Sequence, residues 1–231
     1  MITGGAKRIG ADIARHFAKN GANIIIHYNT SDADAEQLQE ELWKCNVKIT
    51  LIKCDFNKPY DITLMFNNLV KLGVDTIDIL INNAAIFEKN TINTLDYTAI
   101  LKSFNVNVFS PMLCTHECIN FGVKLVVNMS DTTTVKNGQN FLSHSLSKKS
   151  IIDFTKTAAK SLAPNTRINC IVLGLILDDT NEANANFDSL VKKTPMKMSG
   201  SVDNITSTID YLWNNEYITG SIINVDGGLT L

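Results

Sequence analysis

The chain has 231 residues, of which 45% are hydrophobic and 19% charged, with a formal net charge of −2. That length and composition suit one large α/β domain with enough apolar surface for a core. With no Lys/Arg run longer than two residues, the chain lacks the basic patch that binding to phosphate backbones needs, so no nucleic-acid partner is expected. No apolar run reaches the ~18–20 residues that cross a bilayer, and no membrane partner is expected either. The opening Met1-Ile2-Thr3-Gly4-Gly5 carries neither the basic nor the apolar region of a secretory signal, so the expected location is cytoplasmic.

In chain order, Met1-Ile2-Thr3 leads into a glycine-rich turn, Gly4-Gly5-Ala6-Lys7-Arg8-Ile9-Gly10, and an amphipathic stretch over Arg8–Lys19. Only three residues stand where a full strand would precede such a turn, giving the expectation that the recorded start lies downstream of the true one. Ala22–Tyr28 (ANIIIHY) is β-branched and bounded by Gly21 and Asn29, which predicts a buried strand. Val47–Lys53, Ile77–Ile81, Val123–Val127, Ile168–Leu173 and Ser221–Val225 read the same way. Helical periodicity falls between them, over Asp32–Cys45, Tyr60–Leu72, Tyr97–Phe121, Phe141–Leu162 and Val202–Trp213. Strands alternating with helices predict an α/β fold, a doubly wound parallel sheet of Rossmann type in a single domain over 1–231. The least patterned segment, Asp178–Met198 with its DDTNEANAN run, is a candidate mobile loop over a site.

The turn from Gly4 to Gly10 carries the first chemical signal. Glycines let the backbone approach a pyrophosphate, and the following helix N-terminus offers unpaired N–H donors to the anion. Asn82-Asn83-Ala84-Ala85 follows the fourth strand, Asn107 lies on the next helix, and Asp131 follows the fifth strand. Lys148 comes 17 residues later on a helix, and Asp226-Gly227-Gly228 closes the last strand. On these ordered motifs the chain resembles the short-chain dehydrogenase/reductase family from end to end. Arg8 within TGGAKRIG, the acid Asp131, His27-Tyr28 and Phe87 make it similar to the pteridine and dihydromonapterin reductases of that family.

The resemblance implies a nicotinamide cofactor whose diphosphate is held from Gly4 through Lys7, Arg8, Ile9 and Gly10. Asn83, Ala84 and Gly174 would line the same cofactor, and Asp55 would accept from the adenine amine. Phe87 would stack a pterin ring against the nicotinamide, as flat π-systems pack offset. Charge argues for NADPH over NADH. An NAD site usually places an acid at the end of the second strand, whereas Tyr28, Asn29, Thr30 and Ser31 stand there with no acid before Asp32. Hydroxyl and amide donors plus Arg8 suit a 2′-phosphate.

The catalytic signature departs from the family. Tyr-x-x-x-Lys is replaced by His144-Ser-Leu-Ser-Lys148, whose ends still share one helix face. Lys148 and Asn107 would hold the ribose and a water chain. A cationic lysine beside His144 would disfavour the imidazolium, so a neutral His144 is expected. Three accounts stand: His144 donates through a water, Asp131 supplies the proton to the pterin nitrogen, or the activity is lost. Leu173-Gly174 replaces the family's Pro-Gly, which is expected to loosen the turn after the sixth strand.

The remaining histidines and thiols carry no chemical signal. Cys45, Cys54, Cys114, Cys118 and Cys170 form no Cys-x-x-Cys pair, and Cys114 with Cys118 reads as core. His16 and His116 have no acidic or thiol cluster, so no metal is expected. The resulting expectation is hydride transfer from NADPH to a C=N bond of a dihydropterin or dihydrofolate. Carbonyl reduction of a 3-oxoacyl type and a non-catalytic NADPH-binding role stay open beside it. Family likeness further implies a tetramer through Tyr97–Phe121 and Phe141–Leu162.

Overall fold

The computed structural model describes residues 1–136, 140–176 and 184–231, and among these every pairing between named strands is parallel. The strands are β1 (Ile24–Tyr28), β2 (Ile49–Lys53), β3 (Ile79–Asn82), β4 (Leu125–Asp131), β5 (Arg167–Leu173) and β6 (Ile222–Val225). They run as β2-β1 and β3-β4-β5-β6. Met1–Thr3 fill the seam between the two sets, with Ile2 bridged to Ile26 on one side and Ile81 on the other. Ile2 N donates to Ile25 O at 2.9 Å and His27 N to Ile2 O at 3.0 Å, while Ile81 N donates to Met1 O at 2.8 Å and Thr3 N to Ile81 O at 2.9 Å. Three residues therefore supply the ladder bonds at the sheet centre, and Ile2 is buried there.

Helices cover both faces. On one side lie α1 (Arg8–Lys19), α2 (Asp32–Leu42) and α9 (Val202–Asn214); on the other lie α3 (Asp61–Lys71), α5 (Ser110–Ile119) and α7 (Leu142–Leu162). Side chains alternate along the strands accordingly. In β4, Leu125, Val127 and Met129 join the first core, and Val126 joins the second. This is the doubly wound Rossmann architecture expected from the strand–helix alternation.

Several boundaries differ from the sequence pattern for local reasons. The stretch Tyr97–Phe121 is helical without a gap from Tyr97 to Ile119, but not uniformly α-helical. It divides into α4 (Tyr97–Phe104), a π-helical turn over Asn105–Phe109, and α5. Pro111 has no N–H for the regular ladder, and the wider turn takes up the mismatch, with Ser110 Oγ donating to Asn105 O at 2.7 Å. The stretch Asp32–Cys45 tightens into a 3₁₀ turn over Trp43–Cys45 and stops at Asn46, whose φ is +55°. Two helices carry no clear sequence signal, α6 (Thr133–Lys136) and α8 (Asn184–Val191). The loop expected over Asp178–Met198 falls partly outside the described residues, and its second half contains α8 and a turn through Thr194. Leu173-Gly174 is not loosened. Leu173 pairs with Asp131 and Val225, and Gly174 N donates to Val225 O at 2.9 Å, so the turn is tied from both neighbouring strands.

Candidate active site

The carboxyl ends of the strands gather two groups of residues, one around the glycine-rich turn and one at the end of β4. In the turn, Gly4 has a φ of +60°, and a Cβ there would sit 2.9 Å from Ala84 Cα. A Cβ at Gly10 would meet Gly4 O at 2.3 Å and Asn83 Nδ2 at 2.7 Å. No side chain fits at either place. Asn83 closes the turn, its Nδ2 donating to the carbonyls of Thr3 and Gly4 at 3.0 Å each. Thr3 Oγ1 accepts in return from the backbone N–H of Asn83 and Ala84, both at 3.0 Å. The first turn of α1 contains no acid, and Lys7 makes no side-chain cap, so the helix N-terminus is shaped for an anion. Arg8 stands in the left-handed region at φ +54°, a conformation costly for a residue with a Cβ and concentrated at functional turns.

His27 anchors the turn from below. Gly4 N donates to its Nδ1 at 3.1 Å, so the proton sits on Nε2, which faces Cys54 O at 3.1 Å. The ring stacks on Phe56 at 4.0 Å and 9°. Burial pushes His27 down to about 4, against the opposing pull of the Cys54 carbonyl. A proton on Nδ1 would break the bond to the turn.

Beyond β1, a pocket of about 370 Å³ is lined by Asn29, Lys53, Asp55, Leu64, Met65 and Asn68 among others. Asp55 Oδ1 accepts from Asn29 Nδ2 at 3.1 Å and from Asn57 N at 3.0 Å. Tyr28 ends β1, and Thr30 and Ser31 lead into α2. A glycine cradle that a Cβ would fill, an uncapped helix N-terminus and a pocket beside the adjoining strands fit a dinucleotide laid across the sheet.

The second group surrounds Asp131, the last residue of β4. His144, on α7, directs Nε2 to Asp131 Oδ2 at 2.7 Å and Nδ1 to Ile86 O at 2.9 Å. A carbonyl oxygen only accepts, so Nδ1 carries a proton, and the contact to Asp131 is a proton-sharing one. His144 is only 2% exposed, whereas the Asp131 side chain is 26% exposed. Asp131 Oδ1 also accepts from Thr133 N at 2.9 Å and from its hydroxyl. Burial would raise the Asp131 carboxyl, but the His144 hydrogen bond and the Lys148 charge prevail and hold it at about 2.

Lys148 lies one turn further along α7, with Nζ donating to Met129 O at 2.8 Å. Its pKa is lowered by burial, opposed by the charge of Asp131. The expectation that Lys148 governs the protonation of His144 is therefore corrected. The group facing the imidazole is the Asp131 carboxylate, and Lys148 is bonded to the backbone of β4. Asn107 sits in the π-helical turn, where the wider winding brings its amide to Ile86. Its Oδ1 accepts from Ile86 N at 2.9 Å, and its Nδ2 donates to Ile86 O at 3.1 Å and to Ser147 Oγ at 3.0 Å.

Phe87 is 56% exposed. One face stacks on Phe141 at 4.3 Å and 25°, and the ring meets His144 edge-on at 4.6 Å. The pairing is held by Asn90, a buried residue that sequence reading missed. It exchanges backbone bonds with Asn140 and Leu142, and its amide bonds Ser143 Oγ at 2.6 Å and N at 2.9 Å. Also missed were Phe141 and the Ile86 carbonyl, the latter invisible to any side-chain motif. Gly174 packs against Asp226, where a Cβ would meet the Asp226 Cα at 2.5 Å. The structure thus brings Asp131, His144, Lys148, Asn107 and Phe87 to one mouth and places Asp55 and Asn29 in the pocket further along.

Fold and site define an α/β nucleotide-binding protein of the Rossmann class with a polar cluster at the strand tips. The chain belongs to the short-chain dehydrogenase/reductase family, its residues 4–230 matching the family model described as Enoyl-(Acyl carrier protein) reductase. It is 27% identical over 237 residues to the dihydromonapterin reductase of Klebsiella pneumoniae, covering 100% of this chain and 96% of that one. It is 25% identical over 238 residues to the 3-oxoacyl-[acyl-carrier-protein] reductase FabG of Staphylococcus epidermidis, covering 99% and 97%. Among solved structures, the FolM alternative dihydrofolate reductase 1 of Brucella canis, complexed with NADP, superposes with a TM-score of 0.91 at 28% identity, covering 99% of this chain and 92% of that one.

Proposed function

We propose that the chain, acting as one domain over 1–231, is an NADPH-dependent reductase of a C=N bond in a dihydropterin or dihydrofolate. The single observation that carries this reading is the Asp131–His144 pair at 2.7 Å, set beside the half-exposed ring of Phe87. When bound, NADPH would supply the hydride. Gly4 through Gly10, with Lys7, Arg8 and Ile9, would hold its diphosphate, and Asn83 and Ala84 would support that turn. Tyr28, Asn29, Thr30 and Ser31 would meet the adenosine ribose, Asp55 the adenine, and Gly174 and Lys148 the nicotinamide half.

The chain's own residues then manage one proton. Phe87, backed by Phe141, offers its open face to a flat substrate ring. As the ring nitrogen gains negative charge, the proton in the contact between His144 Nε2 and Asp131 Oδ2 moves onto the carboxyl, which hands a proton to the nitrogen and returns to its ionised form. The Asp131 carboxyl is held ionised at rest, and the proton to be delivered lies in its contact with His144 Nε2. Ile86 O keeps the imidazole in register by accepting from Nδ1 throughout. Lys148 adds a positive charge that favours the ionised resting state of Asp131. Similarity to a dihydromonapterin reductase and to a FolM reductase complexed with NADP supports the substrate class and the cofactor.

The test is to mix purified protein and NADPH with dihydrobiopterin, dihydromonapterin, dihydrofolate and a 3-oxoacyl thioester in separate reactions. Oxidation of NADPH with a pterin or folate supports the reading; oxidation with the thioester alone, or with none, overturns it. The exposed apolar side chains Phe109, Met112, Leu113 and Ile119, with Leu146 of α7, support a homo-oligomer, and a tetramer is the form to be checked by light scattering. Among the described residues no helix is long and apolar enough to cross a membrane. Cytoplasmic location is part of the same proposal.

A further inference from the structure

We propose that Lys53 is a cofactor-specificity residue: it cancels the Asp32 carboxylate beside the adenosine pocket and thereby admits a 2′-phosphate. The inference rests on the NADPH reading above and names the residue that enforces it. Lys53 ends β2 and lies in register with Tyr28 at the end of β1. Its Nζ grips both oxygens of Asp32, at 2.7 and 2.8 Å. The same ammonium lies 6.0 Å from the Tyr28 ring centroid. Lys53 also lines the pocket that holds Asn29 and Asp55.

Asp32 is the first acid after β1 and opens α2 directly beyond Thr30 and Ser31. A carboxylate in that region attracts ribose hydroxyls and repels a phosphate dianion. The neighbouring acids do not depend on Lys53: Asp34 faces Lys7 at 3.9 Å, and Asp55 keeps its charge while accepting from the neutral donors of Asn29 and Asn57. Asp32 is the one whose charge is removed by a cation reaching across from the adjacent strand. The pair is half exposed, with side chains 55% and 49% accessible, so it adds little to stability and its removal leaves the fold intact. Its consequence is local charge. Without Lys53, Asp32 stands as the acid an NAD site uses; with Lys53, that one negative charge is cancelled and its repulsion on a phosphate approaching Arg8 is removed.

The experiment is calorimetric titration of wild type, Lys53→Ala, Asp32→Ala and the double variant with NADP+ and with NAD+ at low ionic strength, where surface charge is least screened. Lys53→Ala is expected to weaken NADP+ binding about tenfold and to change NAD+ binding by less than about twofold. The double variant is expected to recover most of the lost NADP+ affinity, because the carboxylate that Lys53 masked is gone. An unchanged NADP+/NAD+ preference in Lys53→Ala, or a double variant no tighter than Lys53→Ala, overturns the proposal. Wild type preferring NAD+, or binding neither nucleotide, overturns the cofactor reading itself and is seen before any variant is compared.

Discussion

The two ends of the strand-tip crevice are built by different means. Around the glycine turn, geometry is set by close packing: Gly4 and Gly10 leave no space for a Cβ, and Asn83 and the buried His27 tie down the backbone of the turn. Around Asp131, geometry is set by a chain of polar contacts, from Ser147 and Asn107 through the Ile86 peptide to His144 and the carboxylate. The first region has no room for a side chain at Gly4 or Gly10. The second has His144 where the resemblance implies a tyrosine, and its chain of hydrogen bonds is the proton path proposed above. Binding a dinucleotide needs a fixed shape, whereas moving a proton needs only donors and acceptors in sequence.

The sharpest way to break this comparison is at Gly10. Gly10→Ala places a Cβ 2.3 Å from Gly4 O, a backbone contact that cannot swing aside. Nucleotide affinity is expected to fall by about 100-fold or more, since the diphosphate amides lose their positions. Calorimetry with NADP+ checks it, with circular dichroism confirming that the sheet persists. At the other end, His144→Tyr is expected to lower turnover by about 10²-fold with nucleotide binding retained, because a single phenol O–H, with a pKa of about 10, cannot bond the Ile86 carbonyl and Asp131 at once as the imidazole does. A gain in turnover would show that the histidine is an eroded tyrosine. A smaller effect is expected for Phe87→Ala, which removes one stacking surface: KM for the pterin rises about tenfold and kcat changes little.

The fourth prediction concerns stability and pH. His27 is held neutral in the folded state at about 4, below the ~6.5 of an unfolded chain. Between these values the unfolded chain binds more protons, so stability is full above pH 6.5 and falls as pH drops toward 4. The loss is on the order of a few kcal/mol. Urea denaturation across pH 4–7 is expected to show this slope in wild type and a flatter one in His27→Gln. Asp131 acts at lower pH. Its folded value of about 2 lies below the ordinary carboxylate range, so its contribution is present above pH ~4 and is lost as pH falls toward 2.

Legibility in the sequence followed the same division. The strands of the sheet and the glycine turn were readable because packing imposes periodicity and residue type: β-branched runs for the strands, glycine where no Cβ fits. Asn83, Asp131, His144 and Lys148 were found by resemblance to the ordered motifs of the family. What the motifs did not show was which of them touch. His144 was set against Lys148 four residues away, yet its partner is Asp131, brought over by the end of β4. The Ile86 carbonyl and the pinning role of Asn90 were not legible, since a backbone acceptor has no side-chain signature and a buried asparagine in a polar run looks like a surface residue. The π-helical turn inside the Tyr97–Phe121 helix was signalled by Pro111 but passed over, because helical periodicity continues on both sides of it.

The proton path from His144 through Asp131 is tested most directly by comparing single-turnover oxidation of bound NADPH by a dihydropterin in wild type and Asp131→Asn. The amide keeps the size of the side chain and cannot carry the proton. The account predicts equal NADPH affinity and a rate lower by about 10²–10⁴-fold in the variant. A variant that binds NADPH and turns over at the wild-type rate would contradict it.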